Sequence, residues 1–231
     1  MPEFKQNEVD LLSLGKYILL AVHQAEFVFG GSFDPVHLGH INLLTHLQAF
    51  SQNWRVRLLP CATPSLKAPT IASYEQRVAM LKVSFGKAEN LIIDQRENTR
   101  KGKSYTFDSL RELRHENSET RLVLVLGADA INSINQWYRC EQLSQLCHLM
   151  IVNRPGNSLS KAEIVLQKLG YKCAINKQQL EIDGAGRYYC LTIEERAISS
   201  TEIRKRLAEK LSVNDLLSAK VIDYIDDHQP Y

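Results

Sequence analysis

The stretch that decides the fold is EFVFGGSFDPVHLGHINLL, from Glu26 to Leu44. It begins with an apolar run, passes through two glycines and ends with the apolar spacing of a helix. Gly30 and Gly31 carry no side chains where a strand turns toward a helix, so a ligand can approach the backbone N–H groups. The dipeptide Asp34-Pro35 predicts a helix from about Pro35 to Phe50, because proline suits the first helical position. Such a helix would direct its anion-binding amino end at the glycine loop.

Two histidines follow the glycines within the same stretch. His37 and His40 are one helical turn apart, so both side chains can face the same side, and Ser32 adds a hydroxyl nearby. A proton-bearing imidazole here could neutralise charge that develops on a phosphate oxygen. The spacing also fits an ordinary capped helix start, or half of a metal site, although no H-E-x-x-H pattern supplies further ligands. The loop is neither a Walker P-loop nor a G-x-G-x-x-G loop.

The rest of the chain alternates between strand and helix patterns. Strand-like runs are EFVFG (26–30), RVRLLP (55–60), NLIID (90–94), RLVLVLG (121–127), HLMIVN (148–153) and the less regular YYCLTI (188–193). Helical patterns lie between them, among them LGHINLLTHLQAF, YEQRVAMLKVSF, TFDSLRELRHE and KAEIVLQKLG. The alternation predicts an α/β, Rossmann-like, doubly wound and mostly parallel sheet with helices on both faces. Ligands in such sheets bind beyond the carboxyl ends of the strands, where the glycine loop falls.

A second segment of interest is ISSTEIRKRL, Ile198 to Leu207, which begins a small helical C-terminal part at about residue 198. Ser199 and Glu202 have the spacing of a capping box. The segment can be an ordinary capped basic helix. It can also be a second anion site, in which hydroxyls, backbone amides and Arg204 face a polyphosphate.

Length and composition limit the number of domains and the classes of protein to which the chain can belong. The chain has 231 residues, 44% of them hydrophobic, and a net charge of +2. We predict one domain over residues 26–231, preceded by an extension of unknown role over residues 1–25. The small net charge argues against a general nucleic-acid binder, and no apolar run approaches the roughly 20 residues of a membrane span. Five cysteines without a CxxC pair favour a reducing cytoplasm. The oligomeric state is not readable, and a homo-oligomer stays open.

Together, GGSFDPVHLGH and the downstream ISSTEIR resemble the HxGH nucleotidyltransferase superfamily with its C-terminal ISSTxxR motif. Within it, the chain resembles the bacterial nicotinate-mononucleotide adenylyltransferases over about residues 26–231. Further matches are KSYTFDSLREL (103–113), LVLGADAINSINQWY (124–138), HLMIVNRPG (148–156) and VIDYIDDHQPY (221–231). The resemblance implies transfer of AMP from ATP to nicotinate mononucleotide, which gives deamido-NAD and pyrophosphate. It implies direct in-line attack without a covalent intermediate, and Mg²⁺ that accompanies the ATP.

The resemblance also implies three groups of site residues. The catalytic group consists of His37, His40 and Arg204, with His40 as the main stabiliser of the transition state. The ATP-binding group consists of Gly30, Gly31, Ser32, Phe33, Asp129, Ser200 and Thr201. The acceptor-binding group consists of Lys67, Tyr105, Thr106 and Trp137. Trp137 would offer a flat face to the pyridine ring, and Tyr105 and Thr106 would offer helix-start amides to the nicotinate carboxylate.

One departure from the family pattern falls in TPSLKAP, residues 63–69. Relatives often carry P-P-H-[KR] here, so Leu66 replaces the histidine and only Lys67 remains. The change could lower activity or alter substrate preference. Two alternatives therefore stay open: a sister enzyme that uses nicotinamide mononucleotide or another phosphorylated acceptor, and a non-catalytic nucleotide-binding relative. Asp129 could also be a simple helix cap, and Trp137 could belong to the core.

Overall fold

The computed structural model describes residues 25–86, 88–153, 160–194 and 198–231. The strands are β1 (Ala25–Gly31), β2 (Arg55–Pro60), β3 (Leu91–Ile93), β4 (Arg121–Gly127), β5 (His148–Asn153), β6 (Lys172–Cys173) and β7 (Arg187–Thr192). The α-helices are α1 (Leu38–Phe50), α2 (Tyr74–Phe85), α3 (Arg96–Thr99), α4 (Thr106–Glu116), α5 (Ala128–Ile131), α6 (Leu143–Leu146), α7 (Ser160–Lys168), α8 (Gln178–Ile182), α9 (Ser200–Ala208) and α10 (Ala219–His228). Apart from Ala25, the predicted N-terminal extension lies outside the described residues.

The seven strands form one sheet in the order β3-β2-β1-β4-β5-β7-β6, and every neighbouring pair among the described strands is parallel. The chain moves outward from β1 to β3 and then returns to place β4 on the other side of β1. Strand order therefore reverses between β1 and β4, and such a reversal opens a crevice at the carboxyl ends of the two strands. The predicted Rossmann-like fold is confirmed. The two-residue strand β6 was not predicted.

Both faces of the sheet are buried. Phe27 and Val123 belong to one apolar cluster, and their neighbours Val28 and Leu124 belong to the cluster on the other face. Successive side chains of a strand point to opposite faces, so a strand with helices on both sides is apolar throughout. This explains why the run RLVLVL contains no polar residue after Arg121.

The first helix begins later than predicted. It starts at Leu38, with His37 as its N-cap, and the predicted start at Pro35 is wrong. The first helical carbonyl is that of His37, which accepts from the His40 and Ile41 N–H groups at 2.9 and 3.2 Å. The Pro35 carbonyl, which a helix begun earlier would use, instead accepts from the Ser200 hydroxyl at 3.0 Å. The hydrogen bond from Ser200, in the C-terminal part, therefore takes the place of the bond that the Pro35 carbonyl would accept within an earlier helical turn.

The C-terminal helices pack against the start of the domain. Ile203 of α9 and Val221 of α10 are buried in the same cluster as Phe27 of β1. The Leu38 N–H at the start of α1 donates to the Leu216 carbonyl at 2.9 Å. The ISSTEIR segment is thereby held beside the loop that joins β1 to α1.

Candidate active site

A cavity of about 480 Å³ opens at the carboxyl ends of β1, β2 and β4. This is the edge of the sheet where the strand order reverses. Seven of the residues predicted for substrate binding line it together: Gly30, Gly31, Ser32, Lys67, Tyr105, Thr106 and Trp137. An adjoining cavity of about 110 Å³ shares Gly30, Gly31, Thr106 and Trp137 and reaches inward to Glu97. The glycine loop and the predicted acceptor residues therefore face one space.

The glycine loop is closely packed from behind. A Cβ placed on Gly31 would lie 3.0 Å from Cζ of Phe33, so a larger residue would displace that ring. Phe33 is only 2% exposed and packs against Phe29 and His40, with ring centroids 5.6 and 5.1 Å apart. Its side chain belongs to the core, and Phe33 therefore offers a ligand its backbone and not its ring.

His37 and His40 form a stacked pair at the start of α1. Their ring centroids are 3.7 Å apart and their planes differ by 23°. The His37 backbone N–H donates to Nδ1 of His40 at 3.1 Å. Because Nδ1 accepts this hydrogen bond, the single ring hydrogen of neutral His40 is assigned to Nε2. Neutral His40 can therefore donate a hydrogen bond from Nε2 only.

Both imidazoles are uncharged near neutral pH. Burial lowers the pKa of His37 to about 4. Burial also lowers the pKa of His40 well below its usual range, and the charge of a protonated His37 and the charge of Lys67 would each lower it further. A neutral ring still bears one proton, on Nε2, which it can donate in a hydrogen bond to a phosphate oxygen, but it carries no charge with which to neutralise that oxygen. The influence of Lys67 on His40 also links the acceptor side of the cavity with the histidine pair.

The second predicted motif contacts the first. The Ser199 hydroxyl caps α9 by accepting the Glu202 N–H at 3.2 Å, as its spacing predicted. The Arg204 Nη1 group donates to the Asp34 carbonyl at 2.6 Å, and Nη2 lies 3.4 Å from Oγ1 of Thr201. The Arg204 bond to Asp34 and the Ser200 bond to Pro35 join two segments that are more than 160 residues apart in sequence. Arg204, Ser200 and Thr201 therefore lie at the same loop as His37.

Two residues in this region were not recognised from the sequence as part of the site. Asp34 was interpreted only as part of a helix start, yet its carboxylate accepts the Ile71 and Ala72 N–H groups at 2.9 and 3.0 Å. Arg77 of α2 is fully buried and donates from Nη1 to the Ser32 carbonyl at 2.6 Å. Arg77 could have been found, because a charged residue between Tyr74 and Val78 interrupts the apolar face of the helix.

Neither cavity is lined by the other predicted residues whose side chains are described: Phe33, His37, His40, Ser200, Thr201 and Arg204. Asp129 belongs to α5, directly after β4, but its side chain lies outside the description. Leu66 lines the cavity with 56% of its surface exposed. Within the described ranges, no three His, Cys, Asp or Glu side chains cluster closely enough to hold a metal ion. Nor does any described helix have the length and apolarity needed to cross a membrane.

A parallel sheet with a glycine loop, a helix amino end and basic side chains at its switch point defines an α/β nucleotide-binding protein. Comparison with known proteins makes the assignment specific. The model of the family described as cytidylyltransferase-like matches residues 28–206. Two relatives, from Hahella chejuensis and Cellvibrio japonicus, are both named "Probable nicotinate-nucleotide adenylyltransferase". The first is 37% identical over 211 residues, covering 90% of this chain and 96% of the relative. The second is 37% identical over 205 residues, covering 88% and 97%.

The solved structure of Plasmodium falciparum nicotinic acid mononucleotide adenylyltransferase complexed with NaAD resembles the chain in fold. The TM-score is 0.68 at 21% identity, with 90% of this chain and 97% of that chain covered. The chain belongs to the cytidylyltransferase-like family, and within it to the nicotinate-nucleotide adenylyltransferases.

Proposed function

We propose that the protein transfers AMP from ATP to nicotinate mononucleotide and releases pyrophosphate and deamido-NAD. The observation that carries this proposal is the contact between the two motifs. Arg204 and Ser200 of α9 hydrogen-bond to Asp34 and Pro35, in the loop between the glycines and the stacked histidines. Donors from both ends of the domain can thus address one polyphosphate, as phosphoryl-transfer chemistry requires.

The chemistry rests on positioning and charge stabilisation. The Gly30–Gly31–Ser32 backbone and the amino end of α1 receive the nucleotide, with Phe33 contributing its backbone. His40 donates its Nε2 hydrogen to a phosphate oxygen on which charge develops, and His37 holds His40 in that tautomer. Arg204, with Ser200 and Thr201, binds the leaving pyrophosphate. Asp129 serves the ribose or adenine side.

The acceptor occupies the cavity beside the glycine loop. Trp137 stacks on the pyridine ring, the helix-start residues Tyr105 and Thr106 bind the carboxylate, and Lys67 reaches the acceptor phosphate. The phosphate of nicotinate mononucleotide then attacks the α-phosphorus of ATP in line.

Mg²⁺ would accompany ATP as part of the substrate, and phosphate oxygens and water would suit it as ligands because it sheds its hydration shell reluctantly. Bound in this way, it would neutralise phosphate charge. We also propose a cytoplasmic location, which the five free cysteines support.

The second candidate function is the same transfer to nicotinamide mononucleotide or another phosphorylated acceptor. The observation behind this alternative is Leu66, which replaces a histidine that relatives often carry near the acceptor phosphate and so leaves the acceptor open. Tyr105, Thr106 and Trp137 favour the pyridine acid. A non-catalytic relative is the third candidate, against which His37, His40 and Arg204 argue.

Purified protein assayed with ATP, Mg²⁺ and either mononucleotide distinguishes the three. We expect rapid formation of deamido-NAD from the acid and much slower turnover of the amide. Equal rates with both would contradict the acid preference, and no product from either would contradict transfer to a pyridine mononucleotide. Leu66→His is the matched variant: if the leucine weakens phosphate binding, this substitution lowers the KM for the acceptor and leaves the KM for ATP unchanged.

A further inference from the structure

We propose that the hydroxyl of Tyr231 is a positioning group that acts through Asp34 to hold Arg204 ready for the ATP phosphates. The inference rests on the proposed function. Tyr231 is far from the glycine loop in sequence, yet its hydroxyl donates to Oδ1 of Asp34 at 3.1 Å. It is therefore connected to the site through one carboxylate.

Asp34 is the junction of four segments. Its side chain is only 4% exposed, and its carboxylate accepts from the Ile71 and Ala72 N–H groups as well as from Tyr231. Nη1 of Arg204 lies 3.5 Å from Oδ2 of Asp34 and also donates to the Asp34 carbonyl. A buried carboxylate needs these donors, because desolvation without hydrogen bonds is costly.

The charges around Asp34 explain why its neutral donors matter. Two cations compete for this carboxylate: Arg204 by direct contact, and the buried Arg77 through its nearby charge. Each neutral hydrogen bond to Asp34 stabilises the carboxylate without using a cation. Burial and the neighbouring Asp34 carboxylate raise the pKa of Tyr231, so its hydroxyl stays protonated and remains a donor. Arg204 is then left with donor groups for a phosphate.

The same carboxylate connects the ATP side with the acceptor side. Ile71 and Ala72 follow Lys67 by four and five residues, in the loop that lines the acceptor cavity. Loss of one donor from Asp34 draws Arg204 more strongly onto the carboxylate and loosens the anchor of this loop. Loss of the Tyr231 hydroxyl should therefore weaken the binding of ATP more than the binding of the acceptor.

The test compares Tyr231→Phe with Tyr224→Phe. Both variants lose one phenol hydroxyl near the same end of the chain, but Tyr224 lies on α10 and stacks on His228. We expect Tyr231→Phe to weaken ATP binding about tenfold by titration calorimetry and to lower kcat/KM for ATP similarly. Tyr224→Phe should stay within twofold of the parent. ATP binding by Tyr231→Phe within twofold of the parent, with an unchanged melting temperature, would overturn the proposal.

A double-mutant cycle separates positioning from general structural support. If Tyr231 acts through Arg204, Tyr231→Phe should change ATP affinity by less than twofold in an Arg204→Gln background. An equal tenfold loss in both backgrounds would show that Tyr231 acts elsewhere and would also overturn the proposal. Should Tyr231→Phe unfold in the Arg204→Gln background, the same cycle with Arg204→Lys replaces it.

The two proposals fail in different ways. A parent protein that binds ATP but makes no deamido-NAD would contradict the proposed function, and the binding cycle would still test Tyr231. If the parent is active and Tyr231→Phe binds ATP as tightly as the parent does, only the positioning role is contradicted.

Discussion

The hydrogen bond from the His37 backbone to Nδ1 of His40 decides what His40 can do. It occupies the nitrogen that a second ring proton would need, so in the protein without ligand His40 is neutral and carries its one ring hydrogen on Nε2. A neutral donor of this kind costs no rearrangement when charge develops on a nearby oxygen. The proposed mechanism therefore uses side chains and backbone groups as fixed hydrogen-bond donors. It does not use a protein nucleophile activated by a base.

Replacing His40 with alanine should lower kcat by roughly two to four orders of magnitude, because a positioned donor to the transition state is lost. Steady-state assays of deamido-NAD formation measure this effect. The control is His46→Ala. His46 lies on the same helix, and its Nδ1 atom is 2.9 Å from the Asn42 carbonyl oxygen. If kcat of folded His40→Ala stayed within threefold of the parent, the assigned role would be excluded.

Trp137→Ala should chiefly raise the KM for the acceptor, because the flat partner of the pyridine ring is removed from the cavity wall. Its KM for ATP is the internal control and should change little. Trp137→Phe, which retains an aromatic face, should recover much of the acceptor affinity. An acceptor KM unaffected by the alanine substitution would assign Trp137 to packing alone.

At the scale of elements, the site depends on how α9 docks. Ile203 is 0% exposed, and Ile203→Ala should lower the free energy of unfolding by about 2–5 kcal/mol. Urea denaturation measures this loss. The matched control is Ile164→Ala on α7, where the side chain is 56% exposed, and a loss below about 1 kcal/mol is expected there. Equal losses at the two positions would show that α9 is not anchored by its apolar face.

Local patterns predicted most elements correctly. The helices over 38–50, 74–85 and 106–116 have the bounds of the quoted apolar patterns, because their periodicity and packing agree. The start at Pro35 was wrong because carbonyls in that turn bond to α9, a contact that no local pattern encodes. Asp34 escaped notice for the same reason: its partners come from distant segments. The predicted site roles stay predictions, although seven of the substrate-binding positions line one cavity.

At the scale of the whole molecule, buried neutral histidines make stability depend on pH. His37 and His148 both have a pKa lowered by burial from 6.5 to about 4. His148 is fully buried: Nδ1 accepts the Arg187 N–H at 3.1 Å, and Nε2 lies 2.9 Å from the Asp183 carbonyl. As pH falls below about 6.5, these two histidines bind protons in the unfolded chain but not in the folded chain. The free energy of unfolding therefore decreases.

The free energy of unfolding should therefore be nearly level above pH 7 with respect to these groups and should fall between pH 6.5 and 4. Each of the two histidines contributes at most about 3 kcal/mol over that interval. Urea denaturation at several pH values measures the slope, and His148→Gln should reduce it by up to one proton equivalent. A stability that rose as pH fell through this interval would contradict the assignment of neutral buried imidazoles.

The central claim is that the two ends of the domain meet on one polyphosphate. A crystal structure with a non-hydrolysable ATP analogue and Mg²⁺ tests it most directly. We predict that Nε2 of His40 and the guanidinium of Arg204 both hydrogen-bond to phosphate oxygens of the same bound molecule. A bound nucleotide whose phosphates contact only one of these two side chains would contradict the claim.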